Sequence, residues 1–170
     1  DGLGAFTTDI RSKLYREGLW DIEVHIKGDK GPFTLSTSMM GELPKDRSFI
    51  LFDYSTKDYY DLTGDDTFQF YHHGEAIPYK FKIIEGPPEF ITNQLSEIMQ
   101  SIPDQFQLHH NYPNPFNPIT NISYELSNPS RVTITIYDLK GREVKTIVNE
   151  WKQPGYYSTV WNSTDDRNNP

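Results

Sequence analysis

Four of the five histidines fall in two adjacent pairs, His72-His73 and His109-His110, and imidazole nitrogens are where metal or proton-transfer chemistry would first be sought. Neighbouring residues on a strand point to opposite faces, so neither pair can put both rings on one ion in regular β structure. The spacing therefore predicts surface or turn histidines. Asp58, Asp61, Asp65 and Asp66 form an acidic group that reads as a loop with oxygens suited to calcium. It lacks the fixed spacing of a known calcium loop, and the reading it supports is a solvated turn. Asp165, Asp166 and Asn168 pose the same question and receive the same answer. Serine, histidine and aspartate are all available for nucleophilic catalysis. However, no Gly-x-Ser-x-Gly elbow, His-Glu-x-x-His helix, phosphate loop or dinucleotide glycine pattern occurs. With no cysteine, disulfides, thiolate catalysis and cysteine metal sites are excluded. The expectation is a non-catalytic protein with no metal and no cofactor.

Two groups of residues point instead to binding. Tyr54, Tyr59, Tyr60 and Tyr71 could make a stacking platform for a sugar, although sandwich cores consume aromatic residues in the same way. The stronger signal is the stretch Asn111, Tyr112, Pro113, Asn114, Pro115, Phe116, Asn117, Pro118. Its prolines fix φ near −65° and remove backbone donors, so it is neither helix nor central strand and must be an ordered, extended turn. The asparagine amides can hydrogen-bond the neighbouring main chain. Tyr112 and Phe116 are apolar anchors able to press this elbow onto a sheet. Gly141, Arg142 and Gly155 are expected to support the turns around it.

The elements that must position these residues are short strands. At 170 residues the chain suits one ordinary domain or two small ones. Aromatic residues make up 14% of it, a supply that favours pleated surfaces. A net charge of −8 with no Lys/Arg cluster argues against nucleic acid and against a polybasic membrane contact. No apolar run reaches the ~20 residues needed to span a bilayer, and the first residues do not read as a signal peptide. Residues 1–19 are weakly patterned, with Ile10, Leu14 and Tyr15 at the spacing of a turn or two of helix. From Trp20 the alternation Trp20, Ile22, Val24, Ile26 predicts a half-buried strand. Further strands are predicted around Phe33 to Thr37, Phe49 to Phe52, Tyr59 to Leu62, Phe68 to Phe70 and Tyr79 to Ile83. Turns are expected at residues 28–31, 41–46 and 64–66 and at Gly74. Gly86-Pro87-Pro88 ends this block, and Ile91, Leu95, Ile98 and Met99 follow helical spacing, with Thr92 or Asn93 as cap. Beyond it, strands are predicted at residues 103–108, over Ile122, Tyr124 and Leu126, and over Val132, Ile134 and Ile136. A return strand runs from Val144 to Val148 after a turn at Gly141, and another starts with Tyr157, Thr159 and Trp161 after Pro154-Gly155. Residues 162–170 read as a further turn. The expected fold is all-β, with two small antiparallel β-sandwich domains of immunoglobulin-like type. These are residues 1–86 and 103–170, joined by a proline-bounded linker, 87–102, with a short helix.

The octapeptide, with Thr120, Ile122 and Tyr124 after it, resembles the opening of the type A C-terminal sorting domain of the type IX secretion system. The same motif opens immunoglobulin-like modules similar to that of the flagellar hook-capping protein. The similarity continues through residues 131–138 and 141–144, Pro154-Gly155-Tyr156 and residues 161–166. The first block resembles, on a tryptophan-led strand, the Leu43 to Asp46 loop and the Phe81-Lys82-Ile83 strand, a module that precedes the sorting domain in large secreted proteins. What these resemblances imply is a non-catalytic C-terminal region of a secreted or cell-surface bacterial protein. It would be recognised by the secretion machinery of the outer membrane, with the octapeptide, Gly141, Arg142 and Gly155 as the recognition signature. The runner-up is a structural, adhesive or surface-glycan-binding module, and a third reading makes both domains accessories of an upstream enzyme. The chain departs from the family in two ways. Asn162 and Ser163 stand where Asp and Gly are usual, and the glycine-led final strand is not in the sequence, so the chain is expected to be a fragment with an open sheet edge.

Overall fold

The computed structural model describes residues 17–26, 30–36, 44–63, 67–74 and 78–165. The expected helical turn within residues 1–19, the turns around residues 28, 41 and 64, Thr37, Asp65, Asp66 and residues 166–170 lie wholly or partly outside the described residues.

All six strands expected before Gly86 form. They are β1 (Gly18–Val24), β2 (Gly31–Ser36), β3 (Ser48–Asp53), β4 (Asp58–Asp61), β5 (Thr67–His72) and β6 (Tyr79–Gly86). An antiparallel sheet runs β1-β6-β3-β4, and β2 pairs with β5 in a second sheet. Period-two alternation decides which side chain faces which layer. Leu51, Phe81 and Ile83 form one core with Leu62 and Phe68, joined by Trp20, Ile22, Val24, Leu35 and Phe70 from β1, β2 and β5. Ile50, Phe52 and Ile84 point the other way, which is why residues 49–52 of the central strand β3 read as a continuous apolar run.

That other face is covered by α1 (Pro88–Gln100). Ile91 and Ile98, with Ile102 just beyond the helix, are packed into the core of Ile50, Phe52 and Ile84. The expected short helix forms, and it packs on the sheet as a layer. Its start is corrected. Pro87 is the N-cap and Pro88 opens the first turn, where a missing N–H costs nothing, so neither Thr92 nor Asn93 caps it. The Thr92 hydroxyl instead donates back to the Pro88 carbonyl at 2.9 Å. Gly86 makes the sharp sheet-to-helix junction possible, because a Cβ there would lie 2.7 Å from the Phe90 ring.

The remaining strands are β7 (Gln107–Leu108), β8 (Thr120–Leu126), β9 (Ser130–Tyr137), β10 (Glu143–Lys152) and β11 (Gly155–Trp161). They make a sheet of order β11-β8-β7 and the hairpin β9-β10. Thr120, Ile122, Tyr124 and Leu126 of β8 are buried, as is Val148 of β10, so the two small sheets turn their apolar faces to each other in a sandwich-like arrangement. Two lengths differ from expectation. The strand predicted over 103–108 shrinks to two residues, since Pro103 has no donor and is buried, its carbonyl accepting the Lys57 ammonium at 3.1 Å. The return strand is longer than Val144 to Val148. Register shifts between Glu143 and Lys145 and between Thr146 and Val148 scramble its alternation.

If α1 is part of the core, Ile98→Ala lowers unfolding stability by about 2–4 kcal/mol, the range for a buried aliphatic truncation, measured by urea titration. A helix acting only as a spacer would give a change near zero.

Candidate functional site

The elbow of residues 111–118 is docked on the sheet, and side chains supply what its prolines remove. Tyr112 and Asn121 exchange backbone hydrogen bonds, N to O at 3.0 Å and 2.9 Å, forming an isolated bridge one strand out from the start of β8. The Thr120 hydroxyl donates to the Pro113 carbonyl at 2.9 Å and accepts from the Asn111 amide at 3.0 Å. Thr120 is only 1% exposed, so both bonds are shielded from water. Asn114 donates weakly to the Asn111 amide oxygen at 3.4 Å. The Tyr112-Pro113, Asn114-Pro115 and Asn117-Pro118 peptide bonds are cis.

Of the two expected anchors, Phe116 behaves as predicted. Its ring lies 5.4 Å from that of Trp161 at the end of β11. Tyr112 does not: its side chain is 79% exposed, and it contributes through its backbone alone. The loop after β11 closes on the same spot. The Ser163 hydroxyl donates to the Pro118 carbonyl at 2.7 Å, and the Trp161 indole N–H donates to the Thr164 carbonyl at 3.0 Å. Lys145 of β10 donates to the Thr164 hydroxyl at 3.0 Å and the Asp165 carbonyl at 3.2 Å. Thr120, Trp161 and Ser163 are therefore buttresses that the sequence reading missed. One signal was present, since Ser163 stands where the resemblance puts glycine, and its φ of 59° is the left-handed conformation that glycine suits.

Gly141 and Arg142 form the turn of the β9-β10 hairpin, with Gly141 at φ 75°. Asp138 organises it, accepting the backbone N–H of Lys140 at 2.8 Å, that of Arg142 at 2.9 Å and the Arg142 guanidinium at 2.7 Å. The Arg142 backbone N–H, then its guanidinium, hold the Asp138 carboxyl below the usual aspartate value. Short connections and antiparallel pairing bring this turn to the elbow end of the sandwich, because β9 starts where β8 finishes and β10 leads back from the turn. Gly155 lies at the opposite end, paired with Leu126 while Trp161 pairs with Thr120. There the Tyr157 hydroxyl donates to the Gln153 carbonyl at 2.7 Å. The predicted set is thus divided, with residues 111–118, Gly141 and Arg142 at one end and Gly155 at the other.

The remaining candidates are dispersed. His72 is buried, contrary to the surface reading, with Nδ1 3.1 Å from the Tyr79 hydroxyl, because the inward phase of β5 places it beside Phe33. His109 pairs with Glu125 at 2.7 Å, and His73 and His110 are exposed. Asp58 and Asp61 lie on strand β4 and not in a loop. Among the described residues no group of three or more His, Cys, Asp or Glu side chains is placed to hold a metal. The four-tyrosine platform does not exist as one face. Tyr59 pairs opposite Phe52 and Tyr60 opposite Leu51, so they point to opposite sides of the sheet. Tyr54 packs edge-on to Phe52 and Tyr60 against Phe68.

Residues 110–158 match the family model of the secretion system C-terminal sorting domain, beginning one residue before the elbow and ending within β11. This is the type IX sorting family that the octapeptide resembles, and the protein carrying it is secreted or cell-surface. The sorting-domain family is non-enzymatic, and its role implies interaction with the secretion machinery. No helix among the described residues is long and apolar enough to cross a membrane. No curated protein and no solved structure matches the chain.

Two outcomes follow from this geometry. Replacing Thr120 by Val, which keeps its shape, removes the bonds to the Pro113 carbonyl and from the Asn111 amide, leaving these two only their weak mutual bond at 3.4 Å, and costs about 1–3 kcal/mol in urea unfolding; a neutral result means that the hydroxyl does not hold the elbow. In the hairpin turn, the depressed Asp138 carboxyl contributes stability that is present above its unfolded-state value and is lost as pH falls through the lower folded-state value. The amide resonances of Lys140 and Arg142 should accordingly titrate together with a midpoint below the ordinary 3.8, and Asp138→Asn should abolish that titration.

Proposed function

We propose that residues 110–158, matched to a secretion sorting domain, act as a non-catalytic address that the outer-membrane translocon reads on one end of a small sandwich. The surface read would be the docked elbow, residues 111–118, flanked by Gly141 and Arg142. The observation that carries this reading is the Thr120-centred hydrogen bonding of Asn111 and Pro113, which gives a donor-poor segment one shape before any partner arrives. Gly155, at the far end, would act only by shaping its own turn. The exposed Tyr112 would be a contact residue in place of an anchor.

In this reading the chain has two units with their boundary at Pro103. The helix belongs to the first unit, because Ile91, Ile98 and Ile102 share a core with β3 and β6. The first unit would be a passenger-side module, and the whole chain would lack catalytic activity of its own.

The test is export. The coding sequence from Pro103 to the gene's own stop codon, fused behind a periplasmic reporter in a host with type IX secretion, should bring the reporter to the cell surface or medium. The same fusion should remain periplasmic in a secretion-deficient strain. Tyr112→Ala, which removes an exposed ring and no packing, should reduce export severalfold with unchanged thermal stability. Retention of the unmutated fusion in the competent host would refute the sorting role, whereas normal export of the Tyr112 variant would refute only the contact assigned to that ring.

A further inference from the structure

A cleft of about 460 Å³ opens beside β5, between the start of β6 and the β10-β11 turn, within the ~300–1,000 Å³ range of small-ligand sites. It takes no part in the elbow. Its wall carries Tyr71 and His73, with ring centroids 4.8 Å apart, and Trp151 from β10 stands across from them. Tyr71 is 51% exposed, so its ring is available to a ligand without any unfolding of the core.

The polar groups are as telling as the rings. The Gln153 amide is held in place by donating to the Pro78 carbonyl at 2.5 Å. Among the described residues, its Oε1 is buried and has no hydrogen-bond partner. Gln69 adds a second, exposed amide on the same lining. The lining residues include no lysine or arginine, so no permanent cation is there to pair with a phosphate, sulfate or carboxylate. The Asp53 Oδ1 atom accepts the Ser55 backbone N–H at 2.7 Å and the Ser55 hydroxyl at 2.6 Å.

Flat aromatic faces beside amides, with no cationic partner, fit a ligand that is neutral, has apolar C–H faces and carries many hydroxyl donors. We propose that this cleft binds a neutral carbohydrate, one sugar ring lying on Tyr71 and its hydroxyls bonding the exposed Gln69 amide. The site joins residues from β5 with residues of the β10-β11 turn, so it needs both parts of the chain, and it does not depend on the sorting role.

Native affinity electrophoresis of the full chain through gels containing mannan, xylan, a β-1,3-glucan or galactan, with polygalacturonate as the anionic comparison, tests it. Retardation by at least one neutral polymer and not by polygalacturonate is expected. Tyr71→Ala should weaken it about tenfold, as truncation of a central aromatic contact does, with the melting temperature unchanged. Gln69→Ala, which removes the exposed amide, should also weaken binding. Retardation by no neutral polymer, retardation by the anionic polymer alone, or binding that Tyr71→Ala and Gln69→Ala both leave intact would overturn the proposal.

Discussion

The buried Thr120 hydroxyl is the central tie on the segment at which the family match begins. A run containing Pro113, Pro115 and Pro118 cannot enter a ladder as a donor at those positions, so its carbonyls must find partners elsewhere. Thr120 supplies one by donating to the Pro113 carbonyl and receiving the Asn111 amide, while buried to 1% exposure. Ser163 supplies another at Pro118, from a residue far along the chain. The elbow is therefore held for a tertiary reason.

The part of the chain before Pro103 is organised around the two-sided burial of β3 and β6. Phe52 and Phe81 are fully buried and face opposite layers, one toward α1 and one toward β2-β5. Burying each such side chain contributes roughly 1.5–3 kcal/mol, and neither layer alone would hide both faces. Glu85, 2% exposed on β6, is kept in this setting by the Arg47 guanidinium. The sandwich after the elbow is more open. Ile134, Ile136, Tyr157 and Trp161 are only half-buried, and specific bonds such as Lys145 to the residue 164–165 loop hold its end together.

Strand existence, the chain order of the breaks and the family of residues 110–158 were legible in the sequence. Alternation marks Trp20 to Val24 and Ile122 to Leu126, glycine marks the turn at Gly141, and the asparagine-proline octapeptide marks the elbow. These are local properties, since pleat periodicity, proline's missing donor and glycine's left-handed φ act within a few residues.

Only the tertiary structure decided which of those local features meet. No spacing rule says that Ser163 reaches Pro118, that α1 roofs the sheet, that Tyr59 and Tyr60 face apart across β4, that His72 is buried against Tyr79, or that Gln153 is seated on Pro78. The physical reason is that each depends on layers brought together by burial of apolar faces. That force is non-directional, so the residues that come into contact across layers are set by strand order, register and connection length, which no single window of residues contains.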